Sequence, residues 1–475
     1  MENLNKQLNN LYTQKKLIET QIKSLEIQIQ NNSDFEFILE DKIYLNTLRL
    51  SSDLINELKD IASFENPQIK ILQNLRKPLY NTPRVIKSYD INKDTLILPR
   101  GLMRDVIEIL NSYNIKYKMI DKRVLIKEEF KEIKFKLREE QLIACEKILK
   151  KDFSICVAPP GFGKTLIAAK MISIRKANTL IIVNKNMLLD QWIERFGDYF
   201  GYEKKDIGFL GKSKNKLNSK LDIATMQSLK NNQDIIKDYS FVIVDECHHI
   251  PALTFENIIK QFKGKYILGL SATPKRKDEM EAILFQQLGN IAYEIKSLKT
   301  NNNKLQVIKT DFKSEVDNFS DLIDEIINNK QRNNLIIEQI LQNSNRKILL
   351  LTDRIDHIEN LTKLLDSCGL DYLSIHGSMD NKTKEENIKK VKSSSLVLAT
   401  TSYFGEGIDF PHLNTIIFAT PISYYGRLVQ YLGRIGRGGD DCLALDIYDD
   451  KNNFTRSAFK KRAEGYKQLH YKKIA

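Results

Sequence analysis

The chain has 475 residues, 42% hydrophobic and 28% charged, and a formal net charge of +13. This length suits about three domains and this composition an ordinary globular protein with sizeable cores. No window approaches the roughly 18 consecutive apolar residues of a membrane helix, and the start MENLNKQLNN lacks the apolar core of a secretory signal, so a cytoplasmic protein with no membrane partner is expected.

Taken in chain order, Leu4, Leu8, Leu11, Lys15, Ile18, Ile22, Leu25 and Ile29 alternate spacings of four and three, the seam of a coiled-coil-like helix over residues 1–33. Lys15 interrupts the seam, and a polar seam position fixes register. The helix therefore either mediates self-association or docking of a partner protein, or packs on its own chain. Asn31–Asp34 reads as a linker into an accessory domain over 34–130 of α+β type. There DKIYL starts a strand followed by a helix, DTLILPRG a strand ending in a turn, and RDVIEILNSYNI a helix. Over 131–300 the pattern becomes short runs apolar on both faces (FSICVA, TLIIV, KLDIAT, FVIVD, YILGL) separated by helical stretches. This predicts a buried parallel sheet in a doubly wound α/β domain. After the polar joint Thr300–Lys304 the pattern repeats over 301–475 (KILLLTD, DYLSIHG, SLVLATT, TIIFATP, CLALDIY), so the expected fold is α/β with two tandem parallel-sheet domains and a cleft between them.

The positive excess gathers at the end. Lys451–Ala475 holds eight Lys or Arg against Glu464, interleaved with Phe454, Phe459, Tyr466 and Tyr471. Such a tail either tracks phosphates and stacks on bases or is a terminal helix with a charged outer face. Cys145, Cys156, Cys247, Cys368 and Cys442 are scattered without a CxxC pair, which fits reduced thiols and offers no zinc ligand set.

Two motifs carry the chemistry. VAPPGFGKT (157–165) follows a predicted strand and precedes a helical run, the context of a phosphate-binding loop. In its segment Pro160, Gly161, Phe162, Gly163, Lys164 and Thr165, the glycines let backbone N–H groups face phosphate. Lys164 reaches the β and γ phosphates, and Thr165 offers a hydroxyl to Mg2+. Ala158 stands where the general pattern has its first Gly, so the motif alone also admits a plain turn. The second motif lies about eighty residues on, where FVIVD runs into DECHH (245–249). Asp245 is placed to hold Mg2+ and Glu246 to orient and deprotonate the attacking water. ATP and Mg2+ are thus the expected cofactors.

With these motifs, residues 133–447 resemble superfamily 2 helicases and translocases, in the XPB-like and type III restriction motor group. The resemblance implies two tandem RecA-like domains. It makes KLREEQ the adenine-side motif, with Arg138 and Gln141, and SATP the coupling motif, with Ser271 and Thr273. In the second domain, TTSYFGEGIDFP and QYLGRIGRG imply Arg437 as the arginine finger, Arg434 as a second phosphate contact, Gln430 for the water and Asp409 for the ribose or Mg2+ sensing. Tyr431 departs from the pattern, since many relatives have Arg there. By motif position Lys185, Asn186, Thr225, Gln227, Arg354 and Thr400 would contact nucleic acid. Each is equally readable as a capping or solvated residue.

The segment 62–86 with LPRG (98–101) resembles the accessory region of XPB-like proteins, which would put Arg76, Lys77, Arg84 and Arg100 on DNA. A spacer is the competing reading. The expected activity is an ATP-dependent DNA helicase or translocase, 3' to 5', acting on single-stranded, duplex or branched DNA. An RNA helicase, and an ATP-gated nucleic-acid-binding scaffold that does not unwind, keep the same motifs. No compact carboxylate and lysine cluster of a nuclease lies outside the ATP motifs.

Overall fold

The computed structural model describes residues 14–15, 18, 35–80, 82–249, 252–273, 279–295, 303–316, 318–391, 393–404, 412–422, 425–435 and 441–474. Of the expected N-terminal helix only Gln14, Lys15 and Ile18 are among them, each helical; the heptad seam as a whole, Asp409 and Arg437 lie outside the described residues.

The accessory unit is a five-stranded sheet in the order 90–92, 95–99, 42–46, 35–39, 117–121. Phe35–Leu39 buries Phe35, Phe37 and Leu39 and turns Glu36 outward, the alternation of a sheet covered on one face. The cover comes from helices Ser52–Asp60 and Met103–Ser112 through Leu54, Leu58, Val106, Ile109 and Leu110. Ser51 caps the first helix by accepting from Leu54 N at 3.3 Å. The strand Phe35–Leu39, outside the elements predicted above, lies inside this sheet between 42–46 and 117–121.

Arg100 corrects an expectation. It is fully buried, with its guanidinium against the rings of Phe153 (5.4 Å) and Phe262 (4.6 Å) and Nη1 donating to Gly264 O at 3.4 Å. Burial pushes the guanidinium down to about 9, and no nucleic acid reaches it. It instead ties the accessory unit to the next sheet. A Cβ on neighbouring Gly101 would lie 2.5 Å from Gln286 O, so the two units pack backbone against backbone and their apolar residues form one continuous core. Val124 and Lys127 extend the seam by bridging to Gly264 and Ala177.

The next sheet has eight strands in the order 214–216, 208–211, 221–225, 179–183, 241–244, 266–271, 153–157, 291–294, all parallel apart from the antiparallel edge strand Lys214–Lys216. Strands 153–157, 179–183 and 221–225 are buried at every position, as their unbroken apolar runs require. Chain reversals put strands 179–183, 241–244, 266–271 and 153–157 side by side, so the segments that leave their carboxyl ends share one crevice.

The last sheet has seven parallel strands in the order 373–375, 396–400, 348–352, 415–418, 443–448, 304–309, 472–474. Here the basic tail is resolved into a helix, Asn453–Gln468, and the edge strand Lys472–Ile474. Tyr466 and Tyr471 are buried, so they do not stack on bases. Arg462, also buried, donates from Nε and Nη2 to Asp446 at 2.8 Å each. Arg456, Lys460, Lys461 and Lys467 face outward, the helix with a charged outer face.

Candidate active site

Between the two large sheets lies a cleft of about 500 Å³. One wall holds Pro160, Gly161, Gly163, Lys164, Thr165, Asp245 and Glu246, and the other Thr401, Arg427, Gln430 and Arg434. The lobes meet closely here: a Cβ on Gly433 would be 3.0 Å from the Pro160 ring.

The loop's shape follows from its glycines. Gly161 and Gly163 have φ of 82° and 94°, the left-handed region that a side chain disfavours. Gly163 caps the helix Lys164–Arg175, and a Cβ there would lie 2.4 Å from Gln141 Nε2. Gln141 Nε2 and Arg138 Nη2 both donate to Phe162 O, at 2.6 and 2.7 Å. These two residues therefore brace the loop from behind and do not line the cleft. The Phe162 ring is buried and stacks on Tyr293 at 6.0 Å, so this residue serves the loop through its carbonyl.

Inside the cleft Lys164 Nζ donates to Ala158 O at 2.8 Å and lies 3.7 Å from Glu246 Oε1. Asp245, where strand 241–244 ends, accepts from Trp192 Nε1 at 2.8 Å and from Glu246 N at 3.0 Å. Burial, and then the adjacent Glu246, pushes the Asp245 carboxyl up to about 6. Glu246 adopts φ of 44°, a strained backbone for a non-glycine residue at a functional turn. Its Oε2 is 3.6 Å from His248 Nδ1, which is 2.8 Å from Ser271 Oγ. Ser271 Oγ in turn donates to Thr273 O and accepts from Thr273 N at 3.1 Å. Glu246 is thus joined to the SATP segment by a short polar chain.

On the facing wall Arg434 donates from Nη1 to Phe404 O at 2.6 Å. Gln430 and Arg434 are nearly buried and line the cleft. Tyr431, the departure from the motif, is a core residue. Its hydroxyl donates to Thr401 O at 3.0 Å and its ring packs on Phe404 and Phe418.

The six nucleic-acid candidates fall into two groups at the carboxyl ends of strands. Lys185 and Asn186 open the helix Asn186–Phe200, and Lys185 also lines the cleft. Asn186 Oδ1 accepts from Lys212 N at 3.1 Å. Thr225 is buried and caps its helix by accepting from Ser228 N at 3.3 Å, whereas Gln227 is exposed. In the second lobe Arg354 is exposed and donates to Ser320 Oγ at 3.1 Å, and Thr400 is buried at a strand end.

Among the cleft residues that the sequence motifs do not cover are Trp192, Arg195 and Arg427. A signal existed for the first two, since the chain's sole Trp sits three residues before an Arg on a helical pattern. Among the described residues no group of His, Cys, Asp and Glu forms a ready-made metal cluster, and no helix is long and apolar enough to cross a membrane.

Comparison with known proteins agrees with this geometry. A family model for "Type III restriction enzyme, res subunit" matches residues 134–276 and one for "Helicase conserved C-terminal domain" matches 331–439. The chain belongs to the superfamily 2 helicases and translocases, in the XPB-like and type III restriction motor group, with two tandem RecA-like lobes and the ATPase activity of a helicase enzyme. The Escherichia phage T5 protein named "Probable helicase D10" is 29% identical over 72% of this chain and 77% of its own length. "DNA 3'-5' translocase XPB2" of Sulfurisphaera tokodaii is 27% identical over 64% of this chain and 78% of its own. Among solved structures, S. cerevisiae Dbp5 bound to RNA and ADP BeF3 aligns with a TM-score of 0.51 at 15% identity, over 71% of this chain and 90% of that one, a likeness of fold.

Proposed function

We propose that the cleft binds ATP and that hydrolysis there drives movement along DNA, 3' to 5' on one strand. The observation that carries this reading is the meeting across one cleft of Lys164, Thr165, Asp245 and Glu246 with Gln430 and Arg434. The amides at the start of helix Lys164–Arg175 hold the phosphates, and Lys164 exchanges its bond to Ala158 O for a phosphate oxygen. Arg138 and Gln141 support the adenine side through the loop they brace. Thr165 and Asp245 suit Mg2+, because one hydroxyl and one carboxylate completed by phosphate and water oxygens is a hard-cation donor set. Mg2+, when bound, neutralises charge on the β and γ phosphate oxygens.

Glu246 accepts the proton of the attacking water, and the chain through His248 and Ser271 passes its position to Thr273. Gln430 orients that water. Arg434 and Arg437 neutralise the charge spread over the transferring phosphoryl group, a contribution on the order of 10³ to 10⁵ in rate for an arginine finger. Asp409 reads the ribose or Mg2+ occupancy. Because these groups belong to different lobes, hydrolysis and release relax the cleft, and the lobes shift along the strand.

Lys185, Asn186, Gln227 and Arg354 contact the backbone without reading sequence, while the buried hydroxyls of Thr225 and Thr400 shape the loops that do so. The accessory unit adds a basic face. From Asn66 to Tyr89 the chain carries Lys70, Arg76, Lys77, Arg84 and Lys87 and no Asp or Glu, and all five are exposed beside Tyr80, itself 87% exposed.

The test is ATPase rate against single-stranded, duplex and forked DNA and RNA, with Lys164→Ala as control. DNA should raise the rate, and Lys164→Ala should lower it by at least about a hundredfold while leaving DNA binding intact. A rate indifferent to every nucleic acid sinks the motor reading, and stimulation by RNA alone makes the protein an RNA helicase. Third-strand displacement with ATP separates a translocase from a scaffold.

A further inference from the structure

The helix Asn186–Phe200 walls the cleft along its length. Leu188, Trp192, Arg195 and Tyr199 line it at spacings of four, three and four, one face of a helix, with Gln191 beside them. Two of these side chains make directed bonds to the pair assigned above to Mg2+. Trp192 Nε1 donates to Asp245 Oδ2 at 2.8 Å, and Arg195 Nη1 donates to Thr165 Oγ1 at 2.8 Å.

Chemistry limits what these bonds can be for. An indole N–H is only a donor, and a guanidinium has no acceptor, so neither group can itself ligate a cation. Each instead occupies one lone pair of an oxygen on a residue that lines the cleft and leaves that oxygen further lone pairs. The indole has little freedom: Trp192 is 2% exposed and meets the Phe196 ring edge-on at 5.2 Å. With Glu246 N on Oδ1 and Trp192 on Oδ2, the Asp245 carboxylate is held at both oxygens and cannot rotate away. Thr165 Oγ1, which could otherwise choose among staggered rotamers, is fixed by the guanidinium. One helix thus aims both candidate ligands from positions three residues apart.

We propose that Trp192 and Arg195 are positioning residues that orient Asp245 and Thr165 toward Mg2+, and so set the affinity of the site for the metal and not for the nucleotide. This rests on the reading of the cleft as a nucleotide site. Partners that orient metal ligands are typically worth about 10- to 100-fold in metal affinity.

The experiment titrates a fluorescent, non-hydrolysable ATP analogue into wild type, Trp192→Phe, Arg195→Gln and Arg195→Lys, in EDTA and at graded Mg2+. Anisotropy is the readout, because Trp192 is the sole tryptophan and its loss removes energy transfer. In EDTA all four should bind within about twofold of one another. The Mg2+ needed for half-maximal enhancement should rise about tenfold or more in Trp192→Phe and Arg195→Gln, and less in Arg195→Lys, which keeps a donor. Trp192→Phe keeps the packed ring, and Arg195 is only half-buried, so both variants should melt close to wild type. Unchanged Mg2+ dependence overturns the proposal. So does an equal loss of affinity with and without Mg2+, which would make Arg195 a phosphate contact. Wild type that binds no analogue under either condition ends the nucleotide reading itself, and this proposal with it.

Discussion

Replacing Asp245 by Asn asks whether the cleft stores an electrostatic cost for its function. The Asp245 carboxyl is buried at the cleft wall, and burial with the adjacent Glu246 moves it from an ordinary 3.8 to about 6. A folded-state value raised this way means that the protonated form is favoured in the folded protein. The associated stability is complete below the unfolded value near 4 and is lost as pH rises through about 6. Two pH units at about 1.4 kcal/mol each give roughly 3 kcal/mol against the folded state at pH 7.5. Asn carries no charge and still offers an oxygen to Trp192 Nε1, but it turns an NH2 toward the Glu246 N–H and deprives Lys164 and Arg195 of a counter-charge. The net gain expected is therefore roughly 1–3 kcal/mol. Denaturation in EDTA between pH 4 and 8 should show Asp245→Asn more stable than wild type at pH 7 to 8, with the advantage shrinking below pH 6, while ATPase activity is lost. A variant no more stable than wild type at pH 7.5, or an advantage independent of pH, refutes the reasoning.

Gly163→Ala should lower the melting temperature by a few degrees and cost at least about tenfold in nucleotide affinity by calorimetry. Its φ of 94° is worth about 1–2 kcal/mol against any side chain, and the added Cβ would displace Gln141 from the loop. Arg332→Met should destabilise the second lobe by about 3–5 kcal/mol in urea, because it strands Asp449, which is fully buried and receives Arg332 Nε at 2.9 Å. The double variant Arg332→Met with Asp449→Leu should recover much of that loss.

Much of the fold was legible because its signals are local. Runs such as TLIIV and FSICV can be strands only if both faces are covered, which implies a parallel sheet with helices on each side. The phosphate loop was legible for the same reason, since a glycine-rich turn between strand and helix fixes where backbone amides point whatever surrounds it. The tail was ambiguous because cations alternating with aromatics suit both a nucleic-acid track and an amphipathic helix. Only the partners of Tyr466 and Arg462 decide between them, and both bond to Asp446 on the strand Leu443–Tyr448.

By itself the sequence determined most elements of the two large sheets and the motifs at their strand ends, because backbone geometry and hydrophobic period act over a few residues. Tertiary structure decided which distant groups meet. Trp192 reaches Asp245 across 53 positions and Arg195 reaches Thr165 across 30, and Arg100 is enclosed by carbonyls and rings far along the chain. A charged or amphipathic side chain carries no mark of its fate. Burial is favourable only when donors, acceptors and rings converge on it, and that convergence is a property of chain crossings in three dimensions.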